Sequence, residues 1–590
     1  MIRSPNVTSG TLPPSSGRPG RLRRAGRASG RPSTALKALG LAVLVASSFL
    51  LLAASAPPRR DFWAPGDIGD RADGILAGMS DEEVLGQLFM MAYPGDAPPD
   101  LLFDWIRKRG LGGVKIFGWN ADNTDKLAAS IAALQKAALE SGHGIPLLVA
   151  TDQEGGWIRH VKGATTVTPG NMAIGASGRP YDAYWSAYYI GRELDALGIN
   201  MNFAPAVDLA TEPKSSIIGP RAFSSDPEET AALGIAYFRG LEAAGVIATA
   251  KHFPGHGDTA LDSHGTLPVI RIGQKTLWER ELVPYRALAA EGLPAIMSGH
   301  LNYPLITGDS SPASLSKAFM TGLLRGKLGF RGVAVTDDLL MSGATGGSDL
   351  AEACYRAIDA GNDLLMASRI IGLDDAAWTR LLAAYRTKPA FRERVREAAG
   401  RVISLKLRYL RPKGESAIVP EPAGLGARVP DRKGEAFFAG QAFRAATALT
   451  PASLPWKPRG RLLVVAPSGD FIKASASVYG ASASLRYGLA GGAEAHARDL
   501  ASLSALAASA DAVLVCVQGE GGMDFVERAR AFGKEVAIVS LLSPEPLAHL
   551  RPGETAVAVY GNSRQCMEAG LAVLHGDVPA EGRLPFRLEP

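Results

Sequence analysis

The chain has 590 residues, of which 46% are hydrophobic, and its formal net charge is +5. This length exceeds what one compact core usually holds, so two domains are expected. The positive charge is concentrated at the amino terminus, since residues 1–60 contain no Asp or Glu, and the nearly neutral remainder argues against nucleic acid as a partner.

The amino-terminal region divides into a basic arm and an apolar segment. Residues 1–37 are rich in Arg, Pro, Ser and Gly and are expected to be disordered. Residues 38–56 carry no charge, and a segment of about 20 such residues can span a bilayer. The positive-inside rule keeps the arm cytoplasmic and places everything after Ala56 on the other side, as a periplasmic or exported domain.

A cleaved signal peptide is the alternative to a membrane anchor. Ala54-Ser55-Ala56 resembles a signal-peptidase site, but Pro57 would then occupy the first mature position, where proline fits poorly. A signal-peptide core is also usually shorter than this segment. An uncleaved signal anchor at 38–56, followed by a linker at 57–71, is therefore favoured.

From residue 72 to 411, apolar strand-like runs alternate with amphipathic helix-like stretches, as they do in βα units. The predicted helical stretches include Asp125–Ser141, Tyr181–Leu197 and Pro227–Ala244. About eight such units fit a (β/α)8 barrel, the fold that the family resemblance described below also implies. The predicted strands are Leu88–Met91, Gly113–Phe117, Pro146–Asp152, Asn200–Asp208, Val246–His252, Pro294–His300, Gly332–Asp337 and Asp363–Ala367.

A second, smaller α/β domain is predicted after the barrel. Residues 412–430 are rich in Pro and Gly and indicate a linker, and residues 431–590 again alternate strand-like and helical runs. We expect a sandwich-like arrangement there. Its predicted strands are Arg461–Ala466, Ala512–Val517, Glu535–Leu541 and Thr555–Tyr560. The three cysteines lack disulfide or metal-ligand spacing and are expected in the core: Cys354, Cys516 and Cys566.

Polar and charged residues recur at the carboxyl ends of the predicted barrel strands. A barrel gathers these ends on one face, where its active site lies. Solvation of strand ends would explain one or two such residues but not the repeated pattern. The residues concerned are Asp152, Asp208, Lys251, His252, His300 and Asp337.

The stretch 251–264, KHFPGHGDTALDSH, is the strongest indication of chemistry. It opens a Gly- and Pro-containing loop directly after a buried strand and brings Asp262 and His264 two residues apart. In an extended segment these side chains point the same way, so the carboxylate can orient the imidazole for proton transfer. An isolated Asp–His pair is more often a surface ion pair or a satisfied core histidine, but this loop is too rich in glycine to be a packing element.

This stretch resembles the signature of family 3 glycoside hydrolases, in the β-N-acetylglucosaminidase subgroup. Three further segments are similar to motifs of that family: ATDQEGG at 150–156, GPRAFS at 219–224 and LGFRGVAVTDD at 328–338. The resemblance extends over essentially the whole predicted barrel. The closing segment 579–585 resembles the end of the carboxyl-terminal domain of many family members.

The resemblance implies roles for seven residues. Asp337 matches the nucleophile, and Asp262 and His264 match the catalytic dyad of the subgroup. The sugar hydroxyls would be bound by Asp152, Arg221, Lys251 and His252. Many relatives carry an arginine eight residues after the equivalent of Asp152, whereas this chain has His160, preceded by Arg159, so the sugar or aglycone contacts on this side stay open.

The implied reaction is hydrolysis with retention of configuration. Asp337 would form a covalent glycosyl-enzyme, and His264, with a reference pKa of about 6.5, would serve as acid and then base. This chemistry requires neither a metal nor an organic cofactor. The expected substrate is a β-N-acetylglucosaminyl oligosaccharide or a muropeptide, although phosphate stays open as an acceptor. The alternatives are a β-glucosidase or β-xylosidase of the same family, or a non-catalytic cell-wall-binding protein.

Overall fold

The computed structural model describes residues 62–212, 214–215, 217–260, 265–345, 349–480 and 482–588. The predicted arm and apolar segment, residues 1–56, lie outside this part of the chain, as do Asp262 and His264. Within the described residues, no helix combines the length and the apolar character that a membrane crossing requires.

Eight parallel strands form a nearly closed barrel with the order β8-β1-β2-β3-β4-β5-β6-β7. A parallel bridge between Val335 and Leu364 joins β7 to the start of β8 and brings the two ends of the sheet together. The predicted (β/α)8 barrel is thus confirmed. The strands are β1 Phe89–Ala92, β2 Gly113–Ile116, β3 Leu148–Thr151, β4 Met201–Asn202, β5 Ile247–Phe253, β6 Ala295–Ser298, β7 Val333–Thr336 and β8 Leu365–Ala367.

The barrel strands are buried on both faces, which is why they appear in the sequence as continuous apolar runs. Alternate side chains belong to two separate cores. In β6, Ala295 and Met297 belong to the core that fills the barrel, whereas Ile296 belongs to the core under the surrounding helices. In β7, Val333 and Val335 likewise belong to the core that fills the barrel, and Ala334 belongs to the core under the helices.

Several helices around the barrel begin at a side-chain cap. Ser80 and Glu83 form a capping box, and Asp226 accepts a hydrogen bond from the Glu229 N–H. The helix Ile68–Gly78 begins inside the segment predicted as a linker at 57–71. The main helices are Ile68–Gly78, Asp81–Gly86, Asp100–Arg109, Thr124–Leu139, Asn171–Ser177, Pro180–Ala196, Pro227–Ala243, Val283–Ala290, Leu350–Ala360, Ala376–Thr387 and Pro389–Tyr409, with π-helical segments at Leu277–Glu281 and Ala318–Lys327.

The carboxyl-terminal part contains a six-stranded sheet with the order β9-β14-β13-β12-β10-β11. All neighbours are parallel except β9, which pairs antiparallel with β14. The strands are β9 Thr447–Ala448, β10 Leu462–Ala466, β11 Ala483–Arg486, β12 Ala512–Val517, β13 Glu535–Ser540 and β14 Thr555–Ala558. The helices are Arg432–Ala445, Gly469–Tyr479, Gly492–Ala507, Met523–Ala531 and Arg564–His575.

The two faces of this sheet carry separate apolar cores, so helices cover both sides of it. The expected second α/β domain is therefore present. The sequence did not indicate its edge strands, because β9 has only two residues and β11 is partly exposed. All three cysteines are buried free thiols, as expected.

The carboxyl-terminal sheet packs directly against loops of the barrel. Ala210, Ile218 and Ala222 from the barrel share one apolar core with Val517 and Tyr560 from the sheet. The segment predicted as a linker at 412–430 contains the short helix Glu415–Ile418. Since the shared core lies next to the turn that carries Arg221, the second domain supports part of the predicted site.

Candidate active site

The carboxyl ends of β3, β5 and β7 bring the predicted site residues to one face of the barrel. Asp152 follows β3, Lys251 and His252 lie near the end of β5, and Asp337 follows β7. Parallel strands of a barrel open these ends onto a common surface. The site is therefore assembled from residues that are far apart in the sequence.

Asp152 lies between two lysine side chains. Its Oδ1 is 2.5 Å from Lys251 Nζ, and its Oδ2 is 2.6 Å from Lys115 Nζ. Burial would raise the pKa of Asp152, but the two ammonium groups outweigh burial and hold this pKa well below its ordinary value. The carboxylate is therefore ionised and accepts hydrogen bonds, which suits the binding of sugar hydroxyls.

Glu154 forms a bidentate salt bridge with Arg221. Arg221 Nε and Nη2 donate to its two carboxylate oxygens at 2.9 and 2.7 Å, and Lys251 Nζ is 2.6 Å from Oε1. Burial acts to raise the pKa of Glu154, but the two cations hold it below its ordinary value. Glu154 thus fixes the guanidinium on the short turn Gly219–Arg221 next to Lys251.

Asp208 fixes the ring of His252. Its Oδ2 is 2.7 Å from His252 Nδ1, and its Oδ1 accepts the His256 N–H at 2.7 Å. His252 Nδ1 therefore donates to Asp208, while Nε2 lies 3.3 Å from Arg221 Nη2 and can accept from it. Burial would raise the pKa of Asp208, but the histidine contacts lower it to about 2.

These contacts form one hydrogen-bonded unit, the Asp152 network. Lys251 joins Asp152 to Glu154, and Arg221 joins Glu154 to His252. The network brings together all four residues predicted to bind the sugar. Its members are Asp152, Glu154, Arg221, Lys251 and His252.

Asp337 occupies the position expected of a nucleophile at the end of β7. Its backbone N–H donates to Ser298 O at 2.9 Å, and its Oδ1 accepts the Asp338 N–H at 2.8 Å. Burial acts to raise the pKa of Asp337, but His252 and His300 lower it below its ordinary value. The half-buried carboxylate is ionised at neutral pH, as nucleophilic attack requires.

His300 is held beside Asp337 by two hydrogen bonds. Its Nδ1 is 2.7 Å from Ser314 Oγ, and its Nε2 donates to Asp338 O at 3.1 Å. Because Nε2 is the donor, Nδ1 accepts the Ser314 hydroxyl proton in the neutral ring. Burial lowers the pKa of His300, which favours this neutral form.

The loop that carries the predicted dyad is described only at its two sides. The Gly255 N–H donates to His252 O at 2.8 Å, and Tyr303 Oη donates to Gly255 O at 2.5 Å. Farther along, Arg280 pairs with Asp258. Gly255 and Asp258, which precede the predicted dyad, are thus held next to the site. The catalytic roles of Asp262 and His264 stay predictions.

His160 lies near Asp152 Oδ2, whereas Lys251 contacts Oδ1 of the same carboxylate. Its Nδ1 is 3.3 Å from Lys115 Nζ and 3.6 Å from Asp152 Oδ2. Burial, reinforced by the nearby Lys115 ammonium, lowers the pKa of His160 to about 4. Arg159 does not take part, since its Nη1 donates to Thr165 O at 3.1 Å.

The sequence did not single out Lys115 or Glu154. Glu154 stands two residues after Asp152 within the motif at 150–156. Side chains two residues apart in an extended segment point to the same side, and this spacing could have indicated that Glu154 belongs to the site. Lys115 is a charged residue in the middle of an apolar strand, which was equally visible. Both residues contact Asp152 or its partner Lys251 directly.

The family described as "Glycosyl hydrolase family 3 N terminal domain" matches residues 80–405. The β-hexosaminidase A of Pseudoalteromonas piscicida is 36% identical over 349 residues, which cover 55% of this chain and 58% of that protein. The β-hexosaminidase of Tolumonas auensis is 37% identical over 265 residues, 44% of this chain and 77% of that protein.

The fold also has solved counterparts. The structure of a glycoside hydrolase family 3 β-N-acetylglucosaminidase from Paenibacillus sp. str. FPU-7 has a TM-score of 0.76 and 30% sequence identity. The similarity covers 87% of this chain and 99% of that one, so it includes both the barrel and the carboxyl-terminal sheet.

Proposed function

Because the chain belongs to glycosyl hydrolase family 3, we propose that it removes terminal β-linked N-acetylglucosamine from the non-reducing ends of glycans. The family and the β-N-acetylglucosaminidase subgroup predicted from the sequence are confirmed by the matches to named relatives. The observation that carries the proposal is the Asp152 network, which presents ionised and hydrogen-bonding groups on the same barrel face as Asp337.

The proposed reaction begins with attack of Asp337 on the anomeric carbon. An Asp337 oxygen forms a bond to that carbon as the glycosidic bond breaks, and the leaving oxygen takes a proton from His264. Water then gives a proton to His264, attacks the same carbon and releases Asp337 as a carboxylate. Two displacements at one carbon retain its configuration.

In this proposal, the proton donor is a histidine and not a second carboxylic acid. Asp262 would orient His264 and stabilise its protonated form, as a carboxylate does for an imidazole. The support is the sequence motif itself, together with the anchoring of the loop at Gly255 and Asp258. Since the pair lies on a loop, its position over the sugar would depend on bound substrate.

The proposed substrates are peptidoglycan fragments that end in N-acetylglucosamine. The support is the predicted export of the catalytic barrel, because glycans of this kind lie outside the cytoplasm. We place the protein in the bacterial inner membrane, anchored by residues 38–56, with its catalytic part on the periplasmic or external side. The Arg-rich arm before the apolar segment supports this orientation.

Specificity is tested with para-nitrophenyl β-glycosides. We expect kcat/KM for the N-acetylglucosaminide to exceed that for the glucoside and the xyloside by at least about tenfold, which corresponds to about 1.4 kcal/mol. Equal or faster hydrolysis of the glucoside would contradict the proposed substrate and favour the β-glucosidase alternative. No hydrolysis of any member would favour a binding protein.

The membrane orientation is tested with alkaline phosphatase fused at the carboxyl terminus, because this reporter is active only after export. We expect an active fusion that sediments with membranes. Deleting residues 1–56 should abolish export while leaving the reporter in the cytoplasm. A full-length fusion that is inactive, although expressed, would contradict the proposed export.

A further inference from the structure

Lys115 is a fully buried lysine inside the barrel, where burial lowers its pKa and the neighbouring Asp152 carboxylate acts in the opposite direction, towards the charged ammonium. It lies on β2 between apolar residues, and its side chain is 0% exposed. Burying a charged ammonium is unfavourable unless its protons find hydrogen-bond partners. Lys115 Nζ has three: Asp152 Oδ2 at 2.6 Å, Ile116 O at 3.0 Å and His160 Nδ1 at 3.3 Å.

The contact with Asp152 complements the one made by Lys251. Lys251 binds Oδ1 from β5 but shares its charge with Glu154, whereas Lys115 binds Oδ2 from β2. The two lysines therefore hold the carboxylate from two strands and fix the plane of its oxygens. The Asp152 side chain keeps 16% exposure, which leaves room for a hydroxyl to reach it.

The contact with His160 determines the state of that ring. An ammonium can only donate, so His160 Nδ1 must accept and the ring proton lies on Nε2. Burial and the charges of Lys115 and Lys251 favour the neutral ring, whereas Asp152 and Glu154 favour the charged one. The geometry and the balance of charges agree on a neutral imidazole.

We propose that Lys115 is a positioning residue for Asp152, and that Lys115 with a neutral His160 takes the place of the arginine that the family resemblance implies for many members at the position of His160. The role in sugar binding rests on the proposed function, whereas the contact itself does not. A guanidinium at position 160 would approach Asp152 Oδ2, the oxygen that Lys115 already contacts, and two cations at this oxygen would repel each other. The Oδ2 side of Asp152 therefore accommodates a single cation, and in this chain that cation comes from β2.

The kinetic test uses Lys115→Met, which keeps the length of the side chain and removes the charge. We expect kcat/KM for the N-acetylglucosaminide to fall about ten- to hundredfold, as when a hydrogen bond to a charged group is lost. Most of the loss should appear in KM, because Asp152 contacts the sugar before and during reaction. Adding His160→Arg to Lys115→Met should restore activity, since the cation then comes from position 160.

A matched control is Lys406→Met. Lys406 is also fully buried, but its Nζ donates to Gln87 Oε1 at 2.8 Å near the amino-terminal ends of the strands, away from the site. This variant should keep the wild-type kcat and KM. Unchanged kinetics in folded Lys115→Met, or no gain from the added arginine, would overturn the proposed role.

The second test needs no substrate. The protein contains nine histidines, and the NMR signal of His160 is identified by its loss in His160→Gln. We expect His160 to protonate near pH 4 in the wild type and at a clearly higher pH in Lys115→Met. A wild-type His160 that titrates near its ordinary value, about 6.5, would overturn the contact with Lys115 even if the variant does not fold.

The two tests separate this inference from the proposed function. If the glycoside panel fails but His160 responds to Lys115→Met, the sugar assignment is wrong and the lysine contact stands. If the panel succeeds but neither test responds to the loss of Lys115, the proposed function stands and the positioning role is wrong.

Discussion

Replacing Asp337 with Asn is expected to abolish turnover while leaving sugar binding intact. The amide has nearly the same size but cannot form the glycosyl ester, so kcat should fall by about four orders of magnitude or more. The Asp152 network is unchanged by this substitution. Binding of N-acetylglucosamine, measured by calorimetry, should therefore stay close to the wild-type value.

The matched control is Asp338→Asn at the next position. Asp338 Oδ1 accepts the Leu340 and Ser368 N–H groups at 3.1 and 3.0 Å, and an amide oxygen can accept them as well. This variant should stay active. If folded Asp337→Asn kept more than about a tenth of the wild-type kcat, Asp337 could not be the nucleophile.

The second large effect is expected from His264→Ala, and its size should depend on the leaving group. A poor leaving group needs the proton, so kcat/KM should fall by about two to four orders of magnitude for para-nitrophenyl or sugar aglycones. Dinitrophenolate leaves without protonation, and its first step should be nearly unaffected. Hydrolysis of the intermediate then becomes slow, because water has lost its base, and azide should restore turnover.

Two further variants test this prediction, one as an intermediate case and one as a control. Asp262→Asn should fall between the wild type and His264→Ala, because the imidazole remains but loses its orienting anion. His143→Ala, in the turn before β3 at the other end of the barrel, should have wild-type kinetics. If His264→Ala slowed activated and unactivated substrates equally and no intermediate accumulated, another acid would be at work, most simply a carboxylate of the carboxyl-terminal domain.

The barrel could be predicted because its strands are buried on both faces. Each strand then forms a continuous apolar run, and the change to a polar residue marks the end that faces the site. This change in the sequence predicts the positions of Asp152, Lys251, His252 and Asp337 at the strand ends. The two edge strands of the second sheet lack this signal, since one is very short and the other alternates in exposure.

The partners of the site residues could not be predicted from local pattern. Asp208 stood at a strand end like the others, and only the fold shows that it holds the ring of His252. Glu154 lies in the motif at 150–156, but its pairing with Arg221 joins two segments that are 67 residues apart in the chain. Lys115 lies inside an otherwise apolar strand, and although a buried lysine requires a partner, the sequence does not show that this partner is Asp152.

The retaining reaction at Asp337 is the central claim, and peptide mapping of a trapped intermediate tests it most directly. His264→Ala is mixed with dinitrophenyl β-N-acetylglucosaminide, quenched in acid and digested for mass spectrometry. We predict an added N-acetylhexosamine on the peptide that contains Asp337, with fragmentation placing it on that carboxylate. An adduct on a different residue, or no adduct while dinitrophenolate is released, would contradict the mechanism.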